Sequence, residues 1–294
     1  MVELPEVEGY LAGLRAHVAG RRLEGVRLRS LFLLRSVEPP LEAAYGRRLV
    51  DARRIGKRVV LELEEQLFLV LHLMISGRLR WRQRGAGLPG KAGLAAFDFE
   101  HGALVLTEQS SRKRASLFVV RGADGLAQHD PGGVDPLGVD AAAFGAALAR
   151  RPHTLKRALC DPHVFSGIGN AWSDEILHRA RLSPFLRARE LTGERLARLH
   201  TATVEVLTAA RERHVAAARA AFPDKVTAFQ PQMAVHGRFG DPCPVCAAPV
   251  QRIVYADSQF NYCAGCQTGG RLLADRALSK LLKDDWPRRL EDLE

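Results

Sequence analysis

The chain has 294 residues, about twice the usual single-domain length of roughly 150, and so predicts two modules rather than one small core. An apolar fraction of 47% with 26% charged residues excludes a disordered chain, and no apolar run reaches the roughly 18 residues that a membrane-spanning helix needs. Lys and Arg number 43 against 33 Asp and Glu, a net charge of +10, and only seven of the 43 are Lys. The guanidinium fork matches phosphate geometry, so this balance points to a polyanionic partner, with a generally Arg- and Ala-rich protein as the plain alternative.

At the N-terminus, Leu4, Val7, Leu11, Leu14 and Val18 recur at spacings of three and four, which predicts an amphipathic helix with Pro5 in its first turn. The same stretch carries three Glu and no sustained apolar core, which excludes a signal peptide and predicts an intracellular protein. From about residue 22 to 120 the period shortens. Runs such as KRVVLELEE, QLFLVLHLMISGRLRW and ASLFVVRG, punctuated by Gly, Pro and charge, predict the strands of a β-sandwich or barrel. The Gly- and Pro-rich segment HDPGGVDPLGVD, residues 129–140, reads as a linker.

Helical runs return over 141–222, a loop is predicted over 223–240, a short Cys-rich unit over 241–268, and a final helix over LLADRALSKLLKDDW, residues 272–286. The fold class is α+β and multidomain, with a β-rich first half and a helical second half.

Cys243, Cys246, Cys263 and Cys266 form two C-x2-C pairs separated by sixteen residues. Such pairs place four thiolates on one tetrahedral ion, so they predict a structural Zn, one per chain, held in a β-hairpin too small to own a core. Cys160 is expected to be a buried helix thiol without metal. The run Phe165-Ser166-Gly167-Ile168-Gly169-Asn170 lies between two helical patterns. Its glycines and the following helix start suit a phosphate, although a glycine turn between helices is in most proteins only a turn.

Taken in order, MVELPEVEGY, RRIGKRVV (53–60), HLMISGRL (72–79), DPLG (135–138), LKRALCDPHVFSGIGNAWSDEILHRARLSP (155–184), VHGRFGDPCPVC (235–246) and NYCAGCQ (261–267) resemble the formamidopyrimidine-DNA glycosylase and endonuclease VIII family over nearly the whole chain. The resemblance implies an N-terminal helix and β-sandwich catalytic domain (1–130), a linker and start of the helical module (131–150), and a helix-two-turn-helix DNA-binding module (151–232). A zinc finger (233–270) and a helical tail (271–294) follow. It also implies a monomer acting on damaged or abasic DNA, nucleoid-associated in a bacterium, with no membrane partner.

What the resemblance implies for the site is specific. After removal of Met1 the α-amine of Val2 would be the nucleophile, Glu3 the acid moving protons at the ribose oxygen and the leaving base, and Glu6 its supporting acid. An α-amine suits the task because its pKa of about 7.7 to 8.0 leaves part of it unprotonated at neutral pH. Lys57, Lys156 and Asn170 match phosphate-binding positions, with Lys57 close to the lesion. Arg112 matches the arginine that fills the space of the flipped base, and Met74 or Ile75 the apolar wedge.

The sequence departs from the family in three places. Residue 2 is Val where most members have Pro, so its imine is an electron sink only when protonated, and slower strand cleavage is expected. Ser258, beside Asp257, stands where the family has a hairpin-tip arginine on the lesion phosphate. Position 114 is Arg where Phe is usual, and residues 215–234, which in oxidised-purine enzymes cover the base, carry no readable pattern. A DNA-binding protein without catalysis and a zinc-ribbon protein acting on RNA are the competing classes. Retention of Glu3 favours the enzyme, and loss of the tip arginine favours the binder.

Overall fold

The computed structural model describes every residue except 1, 225, 256–257, 276–277, 284–286 and 294. The chain folds as two units: Met1–Gly132 with Ala209–Thr227, and Gly133–Thr208 with Ala228–Glu294. Among the described residues, no helix is long and apolar enough to cross a membrane.

In the first unit the predicted N-terminal helix is α1, Leu4–His17. Its apolar face, Val7, Tyr10, Leu11 and Leu14, is fully or almost fully buried. Eight strands follow: β1 Leu23–Leu28, β2 Leu49–Ile55, β3 Arg58–Leu63, β4 Leu67–His72, β5 Gly77–Arg82, β6 Gly93–Phe99, β7 Gly102–Glu108 and β8 Ser116–Arg121. They form two antiparallel four-stranded sheets, ordered β1-β6-β7-β5 and β2-β3-β4-β8.

Alternation along β4 shows how the sheets are used. Leu67, Leu69 and Leu71 join α1 and the other sheet's Leu79, Phe97 and Leu104 in one core. Phe68 and Val70 point the other way, onto Leu126 of the short helix α2, Gly122–Ala127. A strand with both faces covered reads as a continuous apolar run, as this one does.

The second unit contains α3 (Ala141–Ala149), α4 (Leu155–Cys160), α5 (Asn170–Arg179) and the start of the 28-residue α6, Gly193–Ala220, whose last turns belong to the first unit. The side chains of Asp140 and Thr154 cap α3 and α4 by accepting main-chain N–H groups of the first turn, which satisfies donors that helix starts leave open. The segment expected as a linker is partly built into this unit. Val134 N–H donates to Val164 O at 3.1 Å, and Ser166 N–H to Val134 O at 2.8 Å, pinning the turn between α4 and α5.

The hairpin pairs β9, Val250–Tyr255, with β10, Ser258–Cys263, and α7, Ala264–Thr268, follows it. The tail departs from expectation. Of the helix predicted over 272–286, the described helical part is α8, Leu278–Leu282. Leu272 and Leu273 instead run as non-helical chain and pack with Ile253, Phe260 and Tyr262. Tyr262 Oη accepts the Leu273 N–H at 2.7 Å. Paired leucines seal the open face of the hairpin here, a use that sequence periodicity cannot separate from a helix. By contrast α6 runs to Ala220, within the helical stretch expected over 141–222.

Candidate active site, nucleic-acid interface and metal centre

Residues 2–6 are buried. Val2 is 2% exposed, and Glu3 and Glu6 are both 0% exposed. Glu3 is the N-cap of α1, in a reciprocal capping box with Glu6, whose Oε2 accepts the Glu3 N–H at 2.9 Å. Glu6 Oε1 also lies 3.3 Å from Nε2 of His214 on α6. Two carboxylates held inside a protein beside its N-terminus are chemically unusual, because such groups are seldom buried without partners or a task.

Lys57 lies in the turn between β2 and β3, opposite the end of β4, where Arg58 pairs with His72. Burial pushes the His72 pKa down to about 4, helped by the positive charges of Arg58 and Lys57. The ring is therefore neutral at ordinary pH, and its Nδ1 accepts the Met74 N–H at 3.0 Å. Met74 has a positive φ of 53° inside a turn closed by Gly77 N–H donating to Leu73 O at 2.8 Å. A side chain at position 77 would collide with that carbonyl, so only glycine closes the turn. Ile75, at its tip, is 51% exposed.

Arg112 is exposed on the loop between β7 and β8. That loop is tied down by Glu108, which is 1% exposed. Glu108 Oε2 accepts the N–H groups of Arg114 at 2.9 Å and Ala115 at 3.1 Å, and Oε1 accepts the Ser76 hydroxyl at 3.4 Å. Lys113 Nζ donates to the Glu108 main-chain carbonyl. One buried carboxylate thus joins the Met74 turn to the Arg112 loop.

In the second unit Lys156 has a different environment from the open phosphate contact expected of it. It is 8% exposed, and its ammonium donates to Asn170 O at 2.7 Å, to Ser173 Oγ at 2.8 Å and to Asp174 Oδ1. An ammonium has three donors, and all three are used within the protein. The other Asp174 oxygen meets His236 Nδ1 at 2.7 Å and accepts the Asn261 N–H at 3.1 Å. Next to it, Glu175 accepts the N–H groups of Ala234, Val235 and His236 at 2.8, 3.0 and 2.8 Å. Helix α5 thereby fixes both the approach to the hairpin and one of its strands. Asn170, the first residue of α5, is half-buried.

The cysteines converge. Cys243 Sγ lies 3.9 Å from Cys266 Sγ, and Cys246 Sγ 3.3 Å from Cys263 Sγ, close to the about 3.8 Å between sulfurs that a tetrahedral ion with Zn–S bonds of about 2.3 Å requires. Gly265 faces this cluster, where a Cβ would come within 3.0 Å of Cys246 Sγ. Val245 and Cys266 N–H groups point at Cys243 and Cys263 sulfurs at 3.5 and 3.4 Å, an arrangement that favours thiolate. The donor set fits a metal ion, and it has a fifth member. His178 Nε2 lies 3.3 Å from Cys243 Sγ, and His178, Cys243, Cys263 and Cys266 form one close group. Cys160 stands apart, half-buried at the end of α4, 3.1 Å from Ser173 Oγ.

The sequence reading did not single out His72, Glu108, Asp174, Glu175, His178, His214 or His236. Asp174, Glu175 and His178 lie on α5, which has almost no exposed face, and polar groups on such a helix must find partners; that burial is visible only in the fold.

A helix-backed β-sandwich, a two-helix turn module and a cysteine-cluster hairpin define the architecture of a helix-two-turn-helix DNA-repair glycosylase. Profiles of the formamidopyrimidine-DNA glycosylase N-terminal domain and of its H2TH domain match residues 1–117 and 133–220. The formamidopyrimidine-DNA glycosylase of Variovorax paradoxus is 35% identical over 280 residues, covering 91% of this chain and 100% of that protein. The crystal structure of the MutM (Fpg) protein of Thermus thermophilus aligns with a TM-score of 0.75 at 34% identity, covering 90% of this chain and 98% of that one. A Lactococcus lactis Fpg, solved in complex with DNA containing an abasic site, shares the fold with a TM-score of 0.79 at 22% identity, covering 90% of this chain and 99% of that one. The chain belongs to the formamidopyrimidine-DNA glycosylase family, whose members are DNA glycosylases.

Proposed function

We propose that the protein excises a damaged base from DNA and then cleaves the strand through an imine on the Val2 amine. The observation that carries this reading is the pair of fully buried carboxylates, Glu3 and Glu6, at the start of the chain. In this reading Met1 is removed and the unprotonated amine forms a bond to C1′ while the bond from C1′ to the base breaks, the base leaving with a proton. Glu3 protonates the ring oxygen, the C1′–O4′ bond opens, and the nitrogen releases a proton to leave a C1′=N imine. With that imine nitrogen protonated again, removal of a C2′ proton gives an enamine that expels the 3′ phosphate.

Lys57 and Asn170 bind phosphates near the lesion, while Met74 and Arg112 occupy the space the flipped nucleotide leaves. Lys156 serves as a positioning residue that orders the start of α5. Cys243, Cys246, Cys263 and Cys266 hold one structural Zn, which would supply no chemistry beyond fixing the hairpin. The division of labour follows the expected modules, 1–130 for catalysis, and 151–232 with 233–270 for DNA. Support for a DNA partner comes from the family and from the fold shared with a protein solved on abasic DNA.

Incubating the mature protein with lesion-bearing oligonucleotides and borohydride tests the reading. A covalent adduct that disappears when the terminus is blocked supports it. No adduct, with abasic-site affinity intact, makes the protein a binder instead. Metal analysis well below one Zn per chain refutes the assignment of the cysteines.

A further inference from the structure

A cavity of about 620 Å³ opens beside Asn170. Arg157 of α4, Arg187 and Phe185 of the segment after α5, His153, and Phe260 of β10 are among its lining residues, and no Asp or Glu is among them. The main chain holds the two arginines in a fixed relation. Residue 187 bridges Thr154, Leu155 N–H donates to Leu186 O at 2.8 Å, and Ala188 N–H donates to His153 O at 2.9 Å.

Neither the Arg157 nor the Arg187 guanidinium meets a carboxylate among the described residues, and both line the same cavity. By contrast Arg15, Arg27, Arg54, Arg82, Arg84 and Arg179 are each paired within 3.1 Å. The Lys156 ammonium at the cavity is already committed to Asp174, and His153 Nε2 lies 3.3 Å from Asp161. Two exposed guanidinium groups therefore face one concavity without a counter-ion. A guanidinium fork suits a phosphate in particular.

We infer that Arg157 and Arg187, beside Asn170, form a subsite for a phosphodiester group of the bound DNA strand, supplying from the helical module the charge that Ser258 does not supply from the hairpin. The inference rests on the proposed DNA-repair function. It accounts for how a chain with serine at position 258 can retain a phosphate clamp: the charge comes from Arg157 and Arg187 of the helical module. Phe185, 40% exposed, and Phe260 meet edge to face at 5.9 Å and give the cavity an apolar wall, which lowers the local dielectric and strengthens each contact.

The test is the salt dependence of binding to a duplex carrying a stable abasic analogue, measured with the full chain. Each lost phosphate contact lowers the slope of log K against log salt by about 0.9. Arg157→Ala and Arg187→Ala are each expected to do so, and Ser258→Arg added to the double variant is expected to restore affinity. Arg189→Ala, an exposed arginine outside the cavity, is the control for general charge. A double variant with the wild-type slope, or one no worse than the control, overturns the subsite. Failure of the wild-type protein to prefer abasic over intact duplex would instead overturn the functional reading beneath it.

Discussion

The side-chain amide of Asn170 donates to the main-chain carbonyl of Gln259 at 2.6 Å, joining the first residue of α5 to the second residue of β10. An amide has two N–H donors, so one is spent on the hairpin and one is left for a ligand. Asn170 is thus a strut as well as a candidate phosphate contact. Asn170→Ala is expected to raise amide exchange over residues 258–261 and to weaken abasic-DNA binding together. Asn170→Asp is expected to be worse, because a carboxylate would face a carbonyl. Unchanged exchange in both variants would show that the hairpin stands without this bond.

Glu3 combines a structural and a chemical task, and two substitutions separate them. Glu3→Gln keeps a side-chain oxygen for the capping box but cannot give or take a proton. Base excision is expected to fall by about 10²- to 10⁴-fold, with abasic-DNA affinity nearly unchanged. Glu3→Ala also removes the cap and is expected to cost about 1 kcal/mol of stability in addition. Single-turnover excision and urea unfolding check the pair. Equal excision by wild type and Glu3→Gln would remove Glu3 from the chemistry.

His72 makes the Met74 turn sensitive to acid. Its folded-state pKa of about 4 lies below the ordinary 6.5, so between these values the unfolded chain binds a proton that the folded chain refuses. Stability from this group is complete above pH 6.5 and is lost as pH falls toward 4, on the order of 3 kcal/mol over the window. Protonation would also turn Nδ1 from acceptor to donor and break its bond with the Met74 N–H. His72→Asn, which keeps an acceptor but does not titrate, is expected to flatten the decline of melting temperature over that window. An identical decline would place its origin elsewhere.

These relationships differ in how far sequence reveals them. The cysteine pairs and α1 are readable because their signal is local: a spacing of three, or an apolar repeat over four turns. The partners of Glu108 and His178 are not. Ser76 is 32 residues from Glu108, and Cys243 is 65 from His178, so each pair exists only once the fold has formed. Lys156 shows the same limit: the resemblance implies a phosphate contact there, and its pairing with Asp174, eighteen residues on, is visible only in the fold. Leu272 and Leu273 mislead for a third reason, since a leucine pair covers a hairpin as well as it continues a helix.

Glu108 offers the sharpest test of how the two loops of the first unit act together. Its carboxylate accepts from Arg114, Ala115 and Ser76 while 1% exposed, and hydrogen bonds to a buried charge contribute about 1.5 to 3 kcal/mol each when the donor would otherwise be stranded. Glu108→Ala leaves two main-chain N–H groups unpaired and is expected to destabilise the protein by about 2 to 4 kcal/mol. Glu108→Gln can keep one oxygen for both main-chain N–H groups and turn its NH2 to the Ser76 hydroxyl, which can accept it, so its cost is expected to be smaller and confined to the loops. The informative readout is therefore not stability alone. If the Met74 turn and the Arg112 loop contact the DNA strand opposite the lesion, Glu108→Gln is expected to blur discrimination among opposing bases while Ser76→Ala, which removes one bond of the same clamp, does so more weakly. Excision measured against all four opposing bases decides the matter. A Glu108→Gln protein with wild-type base preference would mean that the loops are ordered by the DNA itself rather than by this carboxylate.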